Sequence, residues 1–149
     1  LVGGHCLPVD PYYLSYVSKL KKFKTNVILA GRSINDNISV YLKNELSKKL
    51  KKIKFKRKKI LFCGLTYKKN VSDLRNSLSL KIYKEIKNSI PNVYGYDPTL
   101  NNIIAKKNKI INKPININKF DIYVISIEHN EIKKLIKKLK NKKILYLVD

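Results

Sequence analysis

KILFCGLTY, residues 59–67, sets the architecture of this 149-residue chain. Apolar residues run without alternation from Ile60 to Cys63 and then meet a glycine. A strand with one wet face would alternate and an amphipathic helix would need a longer pattern, so the run fits a strand buried on both faces. Working downstream, Ser77 is a candidate N-cap for a helix with Leu78, Ile82 and Ile86 on one face. NVYGYDP (92–98) is a second strand stopped by Pro98, and Asn101 to Lys119 holds a weak helix and a short strand. FDIYVISIE (120–128) is a third clear strand, EIKKLIKKLK (131–140) a helix and KILYLVD (143–149) a last strand. Strands alternating with helices at this spacing predict an α/β, Rossmann-like parallel sheet with right-handed crossovers over residues 58–149.

Upstream, residues 1–57 have a different pattern. Residues 1–9 are a glycine-containing loop, and Asp10 before Pro11 is an expected N-cap for a helix through YYLSYVSKLKKF. A longer helix starts near Thr25 or Asn26, with Ile34, Ile38, Leu42, Leu46 and Leu50 at i,i+4 spacing, and ends in the basic hinge KKIKFKRKK (51–59). The expected layout is therefore a helical region, 1–57, followed by the α/β domain, 58–149.

Composition narrows the function classes. The net charge of +23 suggests a polyanion partner, yet only three of the 33 basic residues are arginine (Arg32, Arg57, Arg75). Base and phosphate recognition favour the arginine fork, so nucleic acid is not an expected partner. No apolar run approaches the roughly 18 residues of a membrane span, and the first residues are interrupted by GGH and PVD, unlike a signal peptide. Two cysteines are too few for a disulfide framework, which points to a reducing cytoplasm. The chain contains no methionine, and it is expected to be the tail of a longer protein.

Candidate chemistry sits in two loops. GGHCLPVDPYYL (3–14) exposes Cys6 after two glycines, which suits a nucleophile approached closely by substrate; a small buried thiol is the alternative. GLTYKKNVSDLRNS (64–77) follows the first strand, where an open parallel sheet binds ligands, and offers Tyr67, Lys68, Lys69, Asp73 and Arg75. It lacks the G-x-G-x-x-G spacing of a dinucleotide site; a solvated loop with a local Asp73–Arg75 pair is the alternative. Cys63 is expected in the core. His5 and His129 are lone histidines, and nothing has metal-ligand spacing.

Taken in order, GGHCLPVDPYYL, AGRSIND (30–36), GLTYKKNVSDLRNS, YDP (96–98) and ISIEHNEIKKL (125–135) resemble the C-terminal part of the nucleotide-sugar 6-dehydrogenases, the UDP-glucose/GDP-mannose dehydrogenase family. His before the cysteine and DPYYL after it are most similar to the UDP-N-acetylhexosamine branch. The resemblance implies an NAD-dependent, two-step oxidation of a sugar C6 alcohol to a carboxylate, for a surface polysaccharide precursor. It implies Cys6 as the covalent thiol, Asp10 as the aspartate assisting water, and Gly3, Tyr67 and Lys68 as substrate-binding residues. It further implies Arg75 as a contact to NAD, and the long helix as the dimerisation element of a homodimer or larger homo-oligomer. The family's base lysine and dinucleotide glycines are expected before Leu1, and a substrate-contacting arginine beyond Asp149, so the chain alone is expected to be inactive. UDP-glucose as substrate, a basic non-enzymatic binding module and an inactive remnant stay open as alternatives.

Overall fold

The computed structural model describes residues 2–53 and 57–148. Residues 54–56 of the expected basic hinge lie outside the described residues. Two helices come first, α1 (Asp10–Leu20) and α2 (Asn26–Lys52). They are followed by β1 (Ile60–Cys63), α3 (Leu78–Ser89), β2 (Val93–Tyr96), α4 (Asn102–Asn108) and β3 (Ile110–Ile111). A 3-10 turn (Ile117–Lys119), β4 (Ile122–Ile125), α5 (Asn130–Ile136) and β5 (Lys143–Tyr146) complete the fold. The strands form one sheet of order β3-β2-β1-β4-β5, every pair parallel.

The uninterrupted apolar run is explained by what covers it. Ile60 and Phe62 of β1, with Ile122 and Val124 of β4, face one core with Leu42, Leu46 and Leu50 of α2 and Ile82, Tyr83 and Ile86 of α3. Leu61, Cys63, Tyr123 and Ile125 face a second core closed by Phe120, Ile132 and Leu139. The sheet is thus the middle layer of three, and successive side chains of each central strand enter opposite cores. Cys63 is fully buried, as expected, and burial pushes its thiol well above the ordinary range. Ser77 caps α3 as read from the sequence, its hydroxyl accepting from the Leu80 N–H.

Two local readings are corrected. Asp10 is not the N-cap of α1; Val9 takes that position with helical backbone angles, so the helix begins one residue early and Asp10 lies inside its first turn. That helix stops at Leu20 instead of Phe23, because Lys22 turns into the left-handed region at φ 60°. The apolar stripe of α2 is covered only toward its C-terminal end: Leu46 is 2% exposed, whereas Ile34 is 69% exposed. At 1.5 Å per residue the 27-residue helix spans about 40 Å, longer than the sheet it packs on.

Candidate functional site

The loop that carries Cys6 and the first turn of α1 that follows it are anchored at three points on other elements. Asn35 on α2 grips residue 2 from both sides, its Oδ1 accepting from the Val2 N–H (2.9 Å) and its Nδ2 donating to the Val2 carbonyl (3.0 Å). Asp36, next in the AGRSIND stretch, accepts from the Tyr12 hydroxyl (2.7 Å) and from Arg32 Nη2 (2.7 Å). The Tyr12 bond first, and the Arg32 charge beside it, hold the Asp36 carboxyl below its ordinary value. The middle of the loop docks on residues 64–77: the Gly4 N–H donates to the Arg75 carbonyl (3.0 Å) and Asn76 Nδ2 donates to the Gly4 carbonyl (2.9 Å).

Both glycines are required by this contact. A Cβ on Gly3 would fall 2.7 Å from the Asn76 carbonyl oxygen and 2.9 Å from Tyr67 Cβ. A Cβ on Gly4, which sits at φ +95°, would meet the Tyr67 ring at 2.8 Å. Beyond them the chain turns, the Cys6 carbonyl accepting from the N–H groups of Val9 and Asp10, each at 2.8 Å. Cys6 and Asp10 are exposed on either side of that turn. Cys6 Sγ lies 3.3 Å from His5 Nδ1.

Across from this loop, Tyr67 is half-buried and Lys68 exposed. Arg75 holds Asp73 at two points, Nη2 to Oδ2 at 2.6 Å and Nε to Oδ2 at 2.9 Å, while its side chain stays 64% exposed. The local pair read from the sequence therefore exists, and the guanidinium still faces solvent. The structure brings Gly3, Cys6, Asp10, Tyr67 and Arg75 to one region from positions more than 50 residues apart, with Lys68 next to Tyr67 in the same loop.

Sequence reading missed the group beneath that loop. At the switch point between β1 and β4, where an open sheet usually takes its ligand, the crevice is filled by the chain's own Asp97, Thr66 and His129, all 0% exposed. Asp97 Oδ2 accepts from the Leu65 N–H (2.7 Å), the Thr66 N–H (3.1 Å) and His129 Nε2 (3.1 Å). Its Oδ1 accepts from the Thr99 N–H (3.0 Å) and hydroxyl (2.7 Å). Burial opposes ionisation, but these donors outweigh it and hold the carboxyl below its ordinary value. His129 Nδ1 accepts the Asn70 N–H (2.8 Å), which assigns the ring proton to Nε2, facing Asp97 and Thr66. Asn70 Oδ1 in turn accepts from the Asn130 N–H (3.0 Å). Residues 65–70 are thus tied to the ends of β2 and β4 at both sides of Tyr67 and Lys68. The signals were Asp97 before Pro98 and His129 just past a strand, both visible but each ordinary alone.

The chain as a whole is similar to known proteins. Residues 61–148 match the UDP binding domain of the UDP-glucose/GDP-mannose dehydrogenase family. UDP-N-acetyl-D-glucosamine 6-dehydrogenase of Salmonella typhi is 32% identical over 91% of this chain and 33% of its own length. UDP-N-acetyl-D-mannosamine dehydrogenase of Methanococcus vannielii is 32% identical over 97% of this chain and 34% of its own. The structure of the UDP-D-ManNAc dehydrogenase of Pyrococcus horikoshii superposes with a TM-score of 0.73 at 30% identity, covering 99% of this chain and 36% of that one. The chain thus spans about a third of the length of these relatives. With more than half of its residues inside the UDP binding domain and the thiol loop packed against it, the chain belongs to the UDP-glucose/GDP-mannose dehydrogenase family.

Proposed function

We propose that this chain is the thiol-bearing and sugar-nucleotide-binding portion of an NAD-dependent UDP-N-acetylhexosamine 6-dehydrogenase that makes a surface polysaccharide precursor. The observation that carries the reading is the docking of Gly3 and Gly4 against Tyr67, Arg75 and Asn76, which sets an exposed cysteine beside an aromatic and cationic loop. In this reading Tyr67 and Lys68 hold the nucleotide sugar, the lysine matching its phosphate charge, and the Gly3 backbone lies along the sugar. Cys6 Sγ adds to the C6 aldehyde, and the resulting thiohemiacetal becomes a Cys6 thioester on further oxidation. Asp10, one turn away, orients the water that hydrolyses it.

Two NAD molecules, bound in turn, would each accept one hydride. The switch-point crevice of this sheet does not suit the cofactor's pyrophosphate, because the space is taken by side chains around a buried carboxylate. The exposed face of Arg75 is the feature of this chain that suits it, so the cofactor's main site is assigned to another part of the enzyme. Self-association through the uncovered half of α2 completes the reading.

In the complete gene product, UDP-N-acetylhexosamine oxidation is expected to yield two NADH per sugar. Cys6→Ser is expected to lower turnover more than about 1,000-fold while UDP-sugar affinity stays unchanged. Full turnover by that variant would reject the mechanism, and a preference for UDP-glucose over N-acetylhexosamines would reject the substrate.

A further inference from the structure

In the loop that bears Cys6, the side chain against its sulfur is a histidine. Adjacent residues in an extended chain point to opposite sides. Here Gly4 takes a left-handed φ of +95°, which a side chain would find blocked by the Tyr67 ring, and the chain turns again where the Cys6 carbonyl binds two N–H groups. Between these two bends His5 and Cys6 come to the same side, with Nδ1 and Sγ 3.3 Å apart.

We infer that His5 is a catalytic residue of the thiol chemistry, the group that takes the Cys6 proton when sulfur attacks the aldehyde. The catalytic role rests on the function proposed above; the pairing rests on geometry alone. As the S–C bond forms, the S–H proton passes to Nδ1 and the carbonyl π pair moves onto oxygen. His5 then returns the proton to that oxygen, and a neutral thiohemiacetal results with no change in oxidation state. A general base within hydrogen-bond reach of the nucleophile is the arrangement by which weak nucleophiles are activated.

Two charged groups of the 64–77 loop, Asp73 and Arg75, lie near enough to the pair to feel its charges. Asp73 is held below its ordinary value mainly by the Arg75 bond, with the charge of His5 among the smaller causes. Arg75 is raised mainly by Asp73, with Cys6 and Tyr67 among the smaller causes.

The test is the rate of Cys6 alkylation by iodoacetamide from pH 5 to 10, on this chain, with modification read from the Cys6 peptide by mass. Cys63 is buried and does not compete. His5 is exposed, so His5→Asn is expected to keep the native circular dichroism and melting temperature. Near pH 7 the variant is expected to react about 10-fold more slowly, the effect of losing a positioned base. At pH 10, where hydroxide replaces the imidazole as base, the two rates should converge, and free imidazole should restore part of the neutral-pH rate to His5→Ala. Superimposable profiles would overturn the inference, and so would a uniform slowing at every pH, which marks access and not proton transfer. If Cys6→Ser leaves turnover of the complete enzyme intact while the alkylation profile still depends on His5, the proposed function fails and the pairing stands.

Discussion

His129 has the ring proton on Nε2 because the Asn70 N–H occupies Nδ1, and the same ring nitrogen then reaches Asp97. Removing either partner leaves a buried polar group without its match. His129→Ala is expected to cost about 3 kcal/mol, or roughly 6–12 °C in melting temperature at this chain length. The pH dependence follows from Asp97. Its folded-state value is depressed, so its contribution is complete above the unfolded value near 3.9 and is lost as pH falls through the folded value. Asp97→Asn should therefore melt lower at pH 7 and lose less stability than wild type between about pH 5 and pH 2.5. A parallel acid decline in both proteins, followed by thermal melts, would remove Asp97 from that role. None of this was legible in the sequence, since a histidine past one strand and an aspartate past another meet only through the sheet order. Cys63 and Ser77, by contrast, were legible because an apolar run and a cap are local signals.

Among the elements, the central strands β1 and β4 were readable from composition alone: a four-residue run buried on both faces leaves no polar side to confuse the pattern. The long helix was readable as a helix but not in what covers it. Leu46 and Ile34 have the same residue class and the same spacing, and only the sheet beneath Leu46 distinguishes them. Leu46→Ala should destabilise by about 2–5 kcal/mol through lost burial and a cavity. Ile34→Asp should leave the melting temperature of this chain within a few degrees. If α2 is the self-association element, that same change should shift the sedimentation of the complete protein toward monomer. Unchanged sedimentation would move the contact elsewhere. The start of α1 was misread by one residue, because Val9 adopts helical angles that no residue type announces.

For the whole molecule, charge is the largest unbalanced quantity. A net +23 on 149 residues is self-repulsive, and salt should relieve it. Raising sodium chloride from about 20 to 300 mM, well past the change in Debye length from about 20 to 6 Å, should raise the melting temperature. A fall would mean that attractive pairs dominate instead. Both the charge and the three-layer plan were visible in the sequence. What was not visible is that the usual ligand crevice is closed by the protein itself, so the loop above it turns toward the glycine segment.

That docking also orders events in time. The surface against which Gly4 rests is made by residues 67, 75 and 76, and that loop is held by bonds from the ends of β2 and β4. Strands β1 and β4, whose pairing precedes it, are some 60 residues apart and close slowly, as non-local parallel contacts do. The thiol loop consequently has nowhere to settle until the sheet exists. In refolding followed by pulsed hydrogen exchange, the Gly4 amide should gain protection after those of β1 and β4, so that a half-folded chain carries its cysteine but not the surface its loop docks on.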